Sequence, residues 1–263
     1  MNGPAGVMAL VLAESAAGGA GFLFLTPLWG EVRPGFFLLT GAVVLALAAG
    51  TAATAAGAYD PSNAGAGRLA AVLSAALAGA TLGWLALLLA RLRLAARTLG
   101  IVTVPLAVVM LMALARTTGQ SFGLSAFQLL AGALFAGAVL DGLLLGHWYL
   151  TDRKLTRAPI NRMAWLLIGA VVVEAAAVIA GFGSGNSPGG SASKSLNPLL
   201  TLGGSASWIA IGMVACTGLI AAFIRLTLRG TRPTAVQSAT GFFYLAVITA
   251  LIAEIAAKVR LLP

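Results

Sequence analysis

DGLLLGHWYLTDRKLTRAPINR, residues 141–162, holds the transition that decides the fold. It closes an apolar run over 125–149, passes through Trp148 and Tyr149, and enters a loop carrying Arg153, Lys154, Arg157 and Arg162. A helix needs about 20 apolar residues to cross a hydrocarbon core of ~30 Å. Trp and Tyr favour the headgroup level at its end, and Lys and Arg favour the cytoplasmic loop beyond. The stretch therefore reads as the cytoplasmic exit of a transmembrane helix.

The same grammar repeats in both directions. Apolar runs cover 5–28, 36–58, 69–92, 99–116, 125–149, 163–182, 204–227 and 235–257. The breakers expected between spans appear as Glu31-Val-Arg-Pro, Tyr59-Asp-Pro-Ser-Asn and Arg232-Pro233. One long linker, GSGNSPGGSASKSLNP over 183–198, is Gly- and Ser-rich and reads as a flexible external loop. With 60% hydrophobic and 9% charged residues and a mean hydropathy of +0.99, an ordinary soluble domain is excluded. The expectation is an all-α polytopic membrane protein, residues 1–263 forming one transmembrane domain of about eight helices in four hairpins. Abundant Ala and Gly suit close helix–helix contact in lipid.

The net charge of +9 would suggest nucleic acid in a soluble protein; here the cations lie in short loops and report topology, so the partner is the lipid bilayer. The loops after spans one, three, five and seven hold Arg33; Arg91, Arg93 and Arg97; Arg153, Lys154, Arg157 and Arg162; and Arg225, Arg229 and Arg232. The opposite side holds Arg68, Arg116, Lys194, Lys258 and Arg260. That asymmetry places the four odd turns in the cytoplasm and both termini outside the cell's inner (plasma) membrane. The first span lacks a basic leader and carries Glu14, unlike a cleavable signal peptide. Lone Cys216 leaves no partner for an internal disulfide. A short echo, Gly35-Phe36-Phe37-Leu38 against Gly241-Phe242-Phe243-Tyr244, hints at a hairpin repeat.

Four acids fall inside spans: Glu14, Asp141, Glu174 and Glu254. Each needs a partner, a cavity or a proton, because a charge at mid-bilayer costs at least ~2.5–3.5 kcal/mol. Glu14 and Glu174 sit nearest mid-span and are the proton-relay candidates. Glu254 and Lys258, four apart, read as an interfacial i,i+4 pair near the outer surface. Asp141 and the only histidine, His147, are six apart and about 240° around a helix, so they do not share a face. A second candidate site is a pocket at the cytoplasmic boundary. There His147 and Tyr149 would be hydrogen-bonding groups, Trp148 an apolar wall and Asp141 a deeper proton source, an arrangement that suits a quinone.

One histidine is too few for a bis-His haem, leaving only the weaker His/Met option. No HExxH, GxSxG or phosphate-binding glycine loop occurs, so a self-contained enzyme is not expected. The plan resembles the integral membrane subunits of molybdopterin-type oxidoreductases and polysulfide reductases in span number, size and haem-free chemistry. That resemblance implies a non-catalytic subunit that anchors partner subunits of a redox complex and binds quinone. It rests on architecture, and no functional position is carried over. A proton-coupled transporter or channel working through Glu14, Glu174 and Asp141 is the alternative, and a purely structural accessory subunit is the third.

Overall fold

In hydrocarbon there is no water to satisfy backbone N–H and C=O groups, so each apolar run must close its hydrogen bonds internally as a helix. A computed structural model describes residues 3–25, 27–58, 64–152, 154–183, 202–230, 232, 234–259 and 261. Eight α-helices appear among them: α1 (Gly3–Leu25), α2 (Pro34–Gly57), α3 (Ala64–Leu89), α4 (Arg93–Ala115), α5 (Phe122–Thr151), α6 (Ala158–Gly183), α7 (Leu202–Leu228) and α8 (Ala235–Val259). All eight are long and apolar enough to cross a membrane. The chain is a multi-pass helical membrane protein. The Gly/Ser-rich linker beyond Gly183 and the Tyr59–Asn63 breaker lie outside the described residues.

The helices run past the expected spans, most clearly at the starts of α3, α4 and α6. Hydrogen bonding along a helix does not stop at the edge of the oil. Long polar side chains such as Arg93, Arg97 and Arg162 let the first turns continue into the headgroup layer. Between α3 and α4 the chain reverses in three residues. Leu92 N–H bonds to Leu87 C=O and Arg91 N–H to Leu88 C=O, a Schellman closure with Arg91 in the left-handed region at φ 62°. Glycine is the residue that position favours. Arg91→Gly is expected to stabilise the protein by about 1 kcal/mol, read as a higher thermal midpoint in detergent.

Packing divides the helices into two rings of four. In the first, α1 meets α2, α2 meets α3, α3 meets α4, and α4 returns to α1. In the second, α5 meets α6, α6 meets α7, α7 meets α8, and α8 returns to α5. The four expected hairpins are all present, each as one side of a ring. The rings are joined by α1 against α5, the two most enclosed helices. Four crossings per ring mean that α1 and α5 run the same way, and their contacts rise together in number: Glu14 by Gly132, Gly18 by Gly137. The echo between α2 and α8 does not match this arrangement, in which α2 and α6 hold corresponding places.

The crossing of α1 and α5 is built from small residues. A methyl group on Gly18 would fall on the Ala133 carbonyl oxygen, and one on Gly137 would fall on the Gly18 backbone. The two backbones touch directly, as small residues permit in lipid.

Candidate functional site

Lys258 lies in the last turn of α8, where sequence alone suggests a headgroup contact. A helical Cα–Cβ bond tilts toward the helix N-terminus. For α8 that direction leads back into the membrane. Lys258 follows it and is 1% exposed. Its ammonium lies 2.8 Å from Glu14 Oε1 on α1 and 2.9 Å from Glu254 Oε2 on α8. Both acids are buried as well. Gly132 on α5 makes room for the Glu14 carboxyl, since a methyl there would sit 2.6 Å from Glu14 Oε1.

This corrects the interfacial reading of Glu254 and Lys258. They do form an i,i+4 pair, but one enclosed by α1, α5 and α6 and shared with an acid 244 residues away in sequence. A buried ion pair repays desolvation only when its partners are close and its remaining polar atoms are satisfied. Here one ammonium serves two carboxyls.

Glu174 on α6 is 2% exposed and approaches from the other side. Together with Lys258, Gln128 on α5, Val178, Ala257 and Leu261, it lines a cavity of about 10 Å³, close to the room one water needs. Gln128 donates its amide to the Ala177 carbonyl at 3.3 Å. Its Oε1, and Oε2 of Glu174, are buried without a hydrogen-bond partner among the described residues. Glu14 and Glu174, separate proton-relay candidates in sequence, thus converge on one lysine. Sequence reasoning missed Glu254, Lys258 and Gln128 as members. One signal was available: Lys258 is flanked by Ala256, Ala257 and Val259, poor company for a headgroup lysine.

Asp141 is fully buried on α5 apart from this cluster, and neither carboxyl oxygen has a hydrogen-bond partner among the described residues. His147 is exposed, on a different face of α5 from Asp141. Its Nδ1 stands 3.5 Å from the Tyr244 hydroxyl. Trp148 turns toward α2 and meets Phe36 edge-on at 6.4 Å between ring centres. Tyr149 is buried and donates its hydroxyl to the Thr156 carbonyl, closing the α5–α6 turn. The three adjacent side chains leave α5 in three directions, and the structure does not bring them together.

At this same face the basic turns tie the rings to each other. Arg162 reaches Glu31 at 3.1 and 3.3 Å, and Arg33 Nε reaches Asp152 at 3.1 Å. Within the second ring, Arg157 donates to the carbonyls of Gly230 and Arg232 at 2.6 and 2.7 Å, and Arg225 to Asn161 at 2.9 Å. Arg153 lies outside the described residues. Beside the Gly18 crossing, α1, α4 and α5, with Leu166 of α6, line an apolar groove of about 500 Å³ that includes Ala107, Leu111 and Leu130.

Comparison of the chain with protein-family models, with curated proteins and with solved structures finds no match. What the site does must be argued from its own chemistry.

Proposed function

We propose that this protein is a proton-coupled membrane transporter, with Glu14, Glu254 and Lys258 as its coupling site. The observation that carries the reading is the buried Lys258 ammonium, held between a carboxylate from each ring. A coupled transporter needs a charge that both keeps its two parts together and can be cancelled by a proton. Glu14 meets both needs. Ionised, it holds α1 onto α8; protonated, it loses most of its attraction for Lys258 and the tie loosens.

The supporting geometry is bilateral. The Glu14–Lys258 pair spans the rings toward the face holding the helix ends Gly3 and Val259, while Arg33–Asp152 and Arg162–Glu31 span them at the other face. Between these ties lies the glycine crossing of α1 and α5, the place where one ring rocks against the other. The excess of Lys and Arg in the turns at the Arg162 face supports an orientation with that face in the cytoplasm and the cluster toward the outside of the inner membrane. A second reading, the quinone-binding membrane subunit of a redox complex, draws on the apolar groove, whose volume falls in the range of small-molecule sites.

The test is reconstitution into liposomes containing a pH-sensitive dye, with gradients of small cations and organic solutes imposed in turn. At least one gradient should move protons through the wild type. Glu14→Gln should reduce that movement about tenfold or more, a loss of about 1.4 kcal/mol in coupling, with its elution as a folded protein unchanged. If wild type moves no protons under any gradient, or if Glu14→Gln moves them as well as wild type, the reading fails.

A further inference from the structure

We infer that the apolar groove beside the α1–α5 crossing holds one acyl chain of an anionic phospholipid, whose phosphate rests on Arg93 and Arg97. The inference is independent of the transporter reading. Its first basis is the lining of the groove, in which every residue is Ala, Gly, Val, Leu or Phe. No side chain there can hydrogen-bond a polar solute. Leu25, Val108 and Leu134 line it and are exposed, so it opens sideways, where the bilayer's own chains lie. Along α1 it runs from Ala17 to Leu25, eight residues or about 12 Å. One leaflet contributes about 15 Å of hydrocarbon, half of a ~30 Å core. The groove thus follows most of the length of one lipid chain.

Charge at one end selects the lipid. α4 gives Val104, Ala107, Val108 and Leu111 to the groove. At 100° per residue, Arg93 and Arg97 fall about 20° to either side of Val104. They continue the groove's own stripe on α4 toward the face that holds Arg33 and Arg162. Both are exposed. Neither they nor Arg91 in the preceding turn belongs to an ion pair among the described residues. α3 and α4 contain no Asp or Glu that could supply one. On the other side of the groove, Arg162 stands one turn before Leu166 on α6, but Glu31 already meets its charge. The unmet positive charge is therefore on α4.

A phosphate accepts charge-assisted hydrogen bonds from guanidinium groups, and arginine suits it in geometry as well as charge. In the orientation proposed above, these arginines meet the cytoplasmic leaflet, whose anionic lipids attract basic residues at helix ends. A zwitterionic headgroup carries its own ammonium beside the phosphate and gains less from them. A neutral quinone gains nothing comparable. The bound chain would touch α4 of one ring and Leu166 of the other.

The experiment mixes the full-length protein in detergent with phosphatidylglycerol and phosphatidylcholine of identical chains, and counts retained lipid by native mass spectrometry. Wild type should retain phosphatidylglycerol about tenfold or more over phosphatidylcholine. Arg93→Gln combined with Arg97→Gln should abolish that preference and leave the thermal midpoint without lipid unchanged, since both side chains are exposed. Val108→Trp fills the groove from an exposed position and should lower retention of both lipids about tenfold. Arg229→Gln removes an exposed charge just beyond α7, away from the groove, and should change nothing. Equal retention of the two lipids by wild type overturns the inference. So does an Arg229→Gln loss as large as that of the α4 pair, which would mean attraction to net charge alone. Undiminished retention in Val108→Trp overturns it too, by placing the lipid elsewhere. A neutral quinone that displaces phosphatidylglycerol, and binds the α4 variant as well as wild type, gives the groove to the quinone reading instead.

Discussion

Lys258→Met is expected to unfold this protein at temperatures where the wild type is stable. The substitution keeps the length and apolar stem of the side chain and removes only the ammonium. It leaves Glu14 and Glu254, both buried, without the cation they share. Removing one partner of a buried pair costs about 3–5 kcal/mol, a large part of a total stability of about 5–15 kcal/mol. Combining Glu14→Gln and Glu254→Gln with Lys258→Met takes every charge out of the trio at nearly constant volume. That variant should recover most of the lost stability, because neutral groups of similar shape avoid the desolvation penalty. Thermal unfolding in detergent, followed by helical signal, checks both. A single variant as stable as the wild type would show that the two carboxyls do not depend on Lys258.

The second large effect is expected at the crossing of α1 and α5. In Gly18→Val the new side chain meets the Ala133 carbonyl, a backbone group that cannot turn away as a side chain can. The helices must separate, and every contact along the crossing weakens with them. The cost should exceed the ~1–3 kcal/mol usual for overpacking a core. Gly21→Ala on the same helix is the control. A methyl there has open space around it, and alanine is the better helix former by about 0.5–1 kcal/mol. Yield of monodisperse protein and the thermal midpoint distinguish the two. Equal behaviour would show that the close approach is not what joins the rings.

Much of the fold is legible in the sequence, because in a membrane one quantity, apolar length, decides where a helix lies. All eight spans follow from it, with ends displaced by a few residues, as at the starts of α4 and α6, where Arg93, Arg97 and Arg162 extend a helix beyond the apolar run. The grouping into two rings is not legible. It depends on which small residues face each other, and Gly18 and Gly137 look like any of the 33 glycines in the chain. The acids could be found one by one from their cost in lipid, but their convergence could not. Glu14, Glu174 and Glu254 lie on helices one, six and eight, and spacing along one helix says nothing about contacts between helices. Lys258 was hidden by its position. A lysine near a helix end is expected to reach outward to water, and only the inward tilt of its side chain and the acid waiting across α8 reverse that. The stretch around His147 shows the opposite case: neighbours in sequence that the helix sends apart.

The pairing of Glu14 with Lys258 also bears on how the protein is made. Glu14 enters the bilayer with the first helix, and its counter-charge arrives with the eighth, 244 residues later. At ribosomal speeds of about 5–20 residues per second, roughly 12–50 s pass between the two. During that interval α1 carries an acid in the membrane whose cation is not yet synthesised, a cost that must be met by a proton or another partner. The last turn of α8 ends that exposure. The lysine there covers the acid of α1 only once the eighth helix has joined the first.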